Sequence, residues 1–210
     1  MAGVDEGLAI DVSMAELRAV TGYAVVCAEP ALAIFERVRP DDRRPRGALD
    51  AARAFVDGGR RSKAIRDGAW AAHRAYQETR DAGQAAASEV ARAAVAAASA
   101  AYLHPLAKAA QVLHILGAAA HAARAFELDV GDDPAVGVDH VERASGLAGP
   151  AVVDVLTRYP TAPAGRGRAG ELLRMLDAAL RRQATDRPRQ SRSWDGSRPH
   201  GTGSVQGPPA

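Results

Sequence analysis

The sequence predicts an all-α fold: a compact bundle of about five core helices, with extra C-terminal helices and a disordered tail. Three observations carry that expectation. From Pro45 to Leu128 the chain is a succession of alanine-rich segments whose apolar residues recur every three or four positions, the period of a helix with a buried stripe. Thin punctuation separates them, as at Gly58-Gly59 and Gly83. The one run that reads equally well as a strand, Val152-Val153 with Val155-Leu156, has no partner strand and is taken as helix.

The elements follow in order. Ser13 with Glu16 has the spacing of a capping box, so a first helix starts there and reaches about Arg39, with Pro30 as a kink or restart because proline has no amide donor. Pro45 opens a second helix, with Leu49, Ala52, Phe55 and Val56 inward, and Gly58-Gly59 ends it. A third runs from about Ser62 to Asp81 on a stripe of Ile65, Ala69, Ala72 and Tyr76. The fourth, about Gln84 to Leu103, carries small residues on two adjacent stripes. The fifth starts at Pro105 and reaches about Phe126. It is apolar on most sides, with Leu106, Ala109, Leu113, Leu116 and Ala120 on one face, and so belongs at the centre of the bundle. Weaker helices are expected from Asp133-Pro134 to about Ala144 and after Gly149-Pro150, then a clear amphipathic helix from Arg168 to Arg182. The chain thus divides into a helical core (1–128), a helical extension docked on it (129–184) and a disordered tail (185–210) rich in Arg, Pro, Gly and Ser.

Composition narrows the function. The 210 residues suffice for one well-buried core, and with aromatics at 4% that core is filled by Ala, Leu, Val and Ile. The net charge of +2 is unevenly spread: the segment from Arg181 onward carries +4, which leaves −2 for the rest. That is not the distribution of a basic nucleic-acid-binding domain, and nucleic acid is not a favoured partner. A single cysteine, Cys27, excludes an internal disulfide framework and reads as a small core residue. The acidic start at Asp5-Glu6 is unlike a signal peptide, and the apolar runs read as too short to span a bilayer. A cytoplasmic protein with no membrane partner is expected.

Catalytic patterns are thin, and the expectation is of no catalytic residues, no metal, no cofactor and no enzyme activity. Gly165-Arg166-Gly167-Arg168-Ala169-Gly170 fits a dinucleotide fingerprint, but Pro160 and Pro163 precede it where a strand is required, so it reads as a linker. The aspartate pairs Asp41-Asp42 and Asp132-Asp133 sit in turns, where aspartate is at home. No nucleophile elbow surrounds any serine. The match between Ala51–Phe55 and Ala122–Phe126 is chance in so alanine-rich a chain. His114 and His121 share a helix face but lie seven residues, about 10 Å, apart, too far to chelate one ion together. With His73, His104 and Lys108 they form a candidate ligand cluster only if tertiary folding gathers them. From Arg39 to Arg66 the net charge is +5, concentrated in two loops at Arg43–Arg46 and Arg60–Lys63, with no helix-turn-helix spacing.

Pro40-Asp41-Asp42-Arg43-Arg44-Pro45-Arg46, Ala51-Ala52-Arg53-Ala54-Phe55, Ala71-Ala72-His73-Arg74-Ala75 and His114-Ile115-Leu116-Gly117 together resemble an all-helical family of bacterial immunity proteins, over roughly residues 23–128. Members are expected to neutralise a polymorphic toxin by binding it, although some carry an exonuclease label. This chain departs from the family at Phe55, where a Trp is frequent, and at Ala94–Ala101, where histidines are frequent. The resemblance implies a protein partner, a cognate toxin, and no catalysis. The charged loops supply the first candidate contact surface: Asp41, Asp42, Arg43, Arg44, Arg60 and Arg61. The alternatives are a ligand- or metal-binding bundle that uses the histidines, or weak nucleic-acid binding through the basic loops and tail.

Overall fold

A computed structural model of the chain describes residues 9–165 and 167–186, and these are all-α. Nine α-helices lie among them: α1 (Met14–Ala28), α2 (Leu32–Val38), α3 (Arg44–Val56), α4 (Lys63–Asp81), α5 (Ala85–Ala100), α6 (Val112–Asp129), α7 (Pro134–Leu147), α8 (Pro150–Arg158) and α9 (Arg168–Asp186). The only β pairing among the described residues is an isolated bridge between Ala9 and Leu106. The Val152–Leu156 run is helical within α8. The expected tail falls, from residue 187 on, outside the described residues; Thr185 and Asp186 still belong to α9.

The capping box forms as expected. The Ser13 N–H donates to Glu16 Oε2 at 2.8 Å, and the Glu16 N–H donates back to Ser13 Oγ at 3.2 Å. Arg158 on α8 also donates to Glu16, so one carboxylate caps α1 and holds α8 against it. These hydrogen bonds, Arg158's foremost and then Ser13's, pull the Glu16 carboxyl down to about 2. Pro30 turns the chain through one 3-10 turn, Glu29–Ala31, and separates α1 from α2. The combined stretch Met14–Val38 corrects one expectation: by length and composition it could cross a membrane. Most of its apolar window is buried in the bundle, as in a core helix.

Alanine brings α5 and α6 to the centre together. Ala87, Ala91, Ala94, Ala97 and Ala98 of α5 are buried, as are Ala118, Ala120, Ala122, Ala123 and Ala125 of α6. Side chains this small let axes approach closely, and α5 meets α1, α2, α3, α4 and α6, while α6 meets α1, α5, α7 and α9. Larger side chains, among them Phe35, Phe55, Leu49, Ile65, Leu116 and Leu156, fill the spaces between the outer helices.

The expected start of the fifth helix is wrong. Pro105 does not open it; residues 101–108 are irregular, and α6 begins at Val112 after a 3-10 turn, Ala109–Gln111. A residue before proline is driven away from helical angles, and here the backbone groups find other partners. The Pro105 carbonyl accepts from Ile10 N–H (2.9 Å), the His104 carbonyl accepts from the Tyr159 hydroxyl (2.9 Å), and the His104 N–H donates to Gln111 Oε1 (2.8 Å). Leu106 and Ala109 therefore do not share a helix face with Leu116, and Leu113, expected inward, is 46% exposed.

The C-terminal helices are fastened by two buried carboxylates. Glu127, with no exposed surface, accepts from Arg124 (2.8 Å) and from Arg168 on α9 (2.8 Å). Asp177 accepts from Arg181 (2.8 Å) and from the Ala162 N–H (3.0 Å), while Arg181 also caps the carbonyls of Leu156, Tyr159 and Pro160. Buried charges paired and hydrogen-bonded in this way bring distant segments to one geometry.

A histidine and aromatic groove between three helices

The helical period of α4 puts Arg66, Ala69, Trp70, His73 and Tyr76 on one side, and α6 offers Leu113, His114, Gly117 and His121 on the side facing it. Between them α5 supplies a floor of Val95, Ala96 and Ser99. Large walls over a small-residue floor leave two adjoining concavities of about 400 and 450 Å³, which share His73, Val95, Ser99 and His114. At the foot of the α6 wall, a Cβ on Gly117 would stand in ordinary contact with the Ala96 methyl, 3.5 Å away.

The wall on α4 is a continuous aromatic row. Trp70 meets His73 edge to face at 5.9 Å, His73 lies 5.6 Å from Tyr76, and the Arg92 guanidinium sits 5.1 Å over the Tyr76 ring. Trp70 is 64% exposed. At the far end His121 Nδ1 lies 2.6 Å from Glu89 Oε2. Burial pushes the Glu89 carboxyl up, but His121, with Arg92 and Arg124, outweighs it and holds the group below its ordinary range. Burial chiefly, aided by His104, lowers the His114 pKa against the pull of the Ser99 backbone, and so disfavours the charged imidazole.

The structure separates the sequence-predicted residues into three places. His73, His114 and His121 line the groove. His104 and Lys108 are exposed on the 101–111 connection and do not line it. No three His, Cys, Asp or Glu side chains among the described residues are placed to hold a metal ion. Asp41, Asp42, Arg43 and Arg44 surround an open concavity at the start of α3. There Arg44 donates to both Asp42 oxygens (2.8 and 2.7 Å) and to Glu78 (2.8 and 2.5 Å), and its hydrogen bonds hold the Asp42 carboxyl below its usual range. Arg60 and Arg61 are exposed in the α3–α4 loop, at the other end of a 13-residue helix about 20 Å long. The six charges are therefore two clusters at the two ends of α3, one of them largely neutralised internally.

The sequence reading passed over Trp70 and put Tyr76 and Tyr102 on apolar helix stripes; both tyrosines pack against the core and also line the groove. The available signal was the i, i+3, i+6 row Trp70-His73-Tyr76, set off from the buried stripe that runs through Ile65, Ala72, Ala75 and Thr79. Cys27 is buried as expected, and burial pushes its thiol up to about 12. Gly165 and Gly167 lie in the linker before α9, where Gly167 has φ +79° and the Gly165 carbonyl accepts from Arg174; Arg166 falls outside the described residues.

Fold and site together define an all-α bundle with an open surface groove walled by aromatic and histidine side chains. Residues 12–145 match the family described as Imm-5 like putative immunity protein, and the chain belongs to that family. The match contains the segment on which the resemblance was read and extends it at both ends, from the capping box of α1 into α7. No curated protein and no solved structure matches the chain.

Proposed function

We propose that the protein binds a protein partner, a cognate toxin, and neutralises it stoichiometrically without catalysis of its own. The observation that carries this reading is the exposure of Trp70 and Leu113 on opposite walls of one groove. Tryptophan and arginine are over-represented among the residues that dominate binding energy, and a rigid helical wall presents them at low entropic cost. The exposed charges of Arg43, Arg60 and Arg61 then act as a rim that steers encounter more than it sets affinity. Membership of an immunity family supports the same reading.

The test uses the full chain as bait in native lysate, with nuclease treatment, followed by expression of each recovered partner alone and with the bait. A partner that arrests growth alone, is relieved by co-expression and forms a stoichiometric complex supports the proposal. If no recovered partner is toxic, or none is relieved, the proposal fails. A second reading, a small ligand held by His73, His114 and His121, is favoured by cavity volumes within the ordinary range for ligand sites. It predicts a partner-independent thermal shift with an aromatic acid, lost in His114→Ala.

A further inference from the structure

The groove also indicates what kind of surface it receives. We infer that it takes an acidic amphipathic helix of the partner protein, with the apolar side chains down on the α5 floor and carboxylates facing Arg66 and Arg92. The identity of that partner rests on the immunity reading; the chemistry of the groove does not.

Length is the first argument. From Arg66 to Tyr76 the α4 wall runs ten residues, about 15 Å of helix, and from His114 to His121 the α6 wall runs about 10 Å. A helix seated in a groove uses anchors at i, i+4 and i+7, which span about 10 Å, so the trough accepts two turns. Coverage is the second. Trp70 and Leu113 stand exposed on the two walls; a small molecule on the floor leaves both in water, whereas a helix lying in the trough covers both.

Sign is the third argument. The described residues lining the two concavities include the guanidinium groups of Arg66 and Arg92 and no carboxylate. The nearby carboxylate of Glu89 is engaged by His121 at 2.6 Å, while Arg92, at 3.7 Å from it, is beyond hydrogen-bond distance and keeps its donors for a ligand. The Tyr102 hydroxyl is spent as a donor to the Ser62 carbonyl (3.0 Å). What the groove offers an incoming helix is therefore cationic or neutral donor groups over an apolar floor, the complement of carboxylates flanking an apolar stripe. A basic helix would set its charges against two guanidinium groups.

The experiment selects from a display library of helical 16-residue peptides on the immobilised full-length protein. Affinities follow from tryptophan emission in Trp194→Phe, which leaves Trp70 as the sole tryptophan. Enriched peptides should carry apolar residues at i, i+4 and i+7 and a net negative charge. Their affinity should fall at least tenfold in Trp70→Ala, measured by a label on the peptide, and in the Arg66→Glu, Arg92→Glu double variant. Arg66→Lys with Arg92→Lys should retain most of it, and circular dichroism checks that each variant is folded. Neutral or basic enriched peptides, or binding indifferent to Trp70→Ala, overturn the inference. So does self-association of the protein that Trp70→Ala abolishes without any peptide binding. Once a toxin is known, protection by the double-Glu variant equal to that of the native chain overturns the groove and leaves the immunity reading standing. If no toxin is relieved, the immunity reading fails while the peptide result still decides the groove.

Discussion

Glu127 is the residue whose chemistry was least legible. In Phe126-Glu127-Leu128 it reads as an ordinary polar position at the end of a helix, yet it is fully buried because Arg168, 41 residues later, closes over it. No local pattern encodes that partner. Removing its charge leaves Arg124 and Arg168 only their exposed partners, Asp132 and Glu171, so Glu127→Gln should lower unfolding free energy by about 2 kcal/mol in urea titrations. Gly137 on α7 exists for the same carboxylate: a Cβ there would overlap the Glu127 side chain, and Gly137→Ala should destabilise comparably. A stability unchanged in both variants would show that the pair is dispensable. His140, stacked on Phe126 at 3.7 Å, carries a pH dependence. Burial chiefly, with Arg143, lowers its pKa to about 4 against the pull of Asp139. Below its unfolded pKa of about 6.5 the unfolded chain takes up a proton that the folded chain refuses, so stability falls as pH drops from about 6.5 to 4. With solvent screening the loss is on the order of 1 kcal/mol, and His140→Phe should flatten that part of a melting-temperature profile.

Helix beginnings were legible wherever a local chemical device makes them. Ser13 with Glu16 and Asp133 with Pro134 start helices within a residue or two of the expected position, and Asp133 caps the Ala135 N–H at 2.9 Å. The Pro105 start failed because proline is as compatible with an extended connection as with a first helical turn, and only contacts with Ile10 and Tyr159 decide between them. The groove failed for a related reason. Periodicity sorts α4 into apolar and polar sides, but whether Tyr76 and Trp70 face a core or a trough depends on the small residues α5 and α6 bring beneath them. Close approach is also what separates two glycines. On α4, a Cβ at Gly68 would lie 3.1 Å from the Ala48 Cα of α3, whereas Gly47 has nothing within 4 Å. Gly68→Ala should cost about 1 kcal/mol by forcing α3 and α4 apart. Gly47→Ala should stabilise by about 0.5–1 kcal/mol through helix propensity and a less flexible unfolded chain. Denaturation midpoints moving in the same direction for both would refute the assignment of the α3–α4 contact to that glycine.

At the scale of the whole molecule, the all-α class and the central place of α6 were readable because alanine-rich helical periodicity leaves no other way to bury so much of the chain. How the last helices relate to the rest was not, since helix-to-helix attachment depends on pairs such as Glu127 with Arg168 and Glu16 with Arg158, the latter 142 residues apart. The family match ends at residue 145, within α7, which invites the view that α8 and α9 are appendages. Their contacts argue otherwise. Leu172, Leu176 and Leu180 are wholly buried, Leu173 is nearly so, and α9 lies on α6, α7 and α8. At about 2 kcal/mol per buried leucine, this one helix contributes an amount comparable to the total margin of a domain, about 5–15 kcal/mol. Ending the chain at Leu147 removes those side chains, uncovers one face of α6, and leaves both Glu127 and Glu16 short of an arginine. The truncated protein should lose its cooperative thermal transition or melt more than about 10 °C below the full chain, with a gain in binding of a hydrophobic dye. A truncated chain that melts within about 2 °C of the full one, with no such gain, would mean that residues 12–145 fold as a unit and that α8 and α9 only cover it.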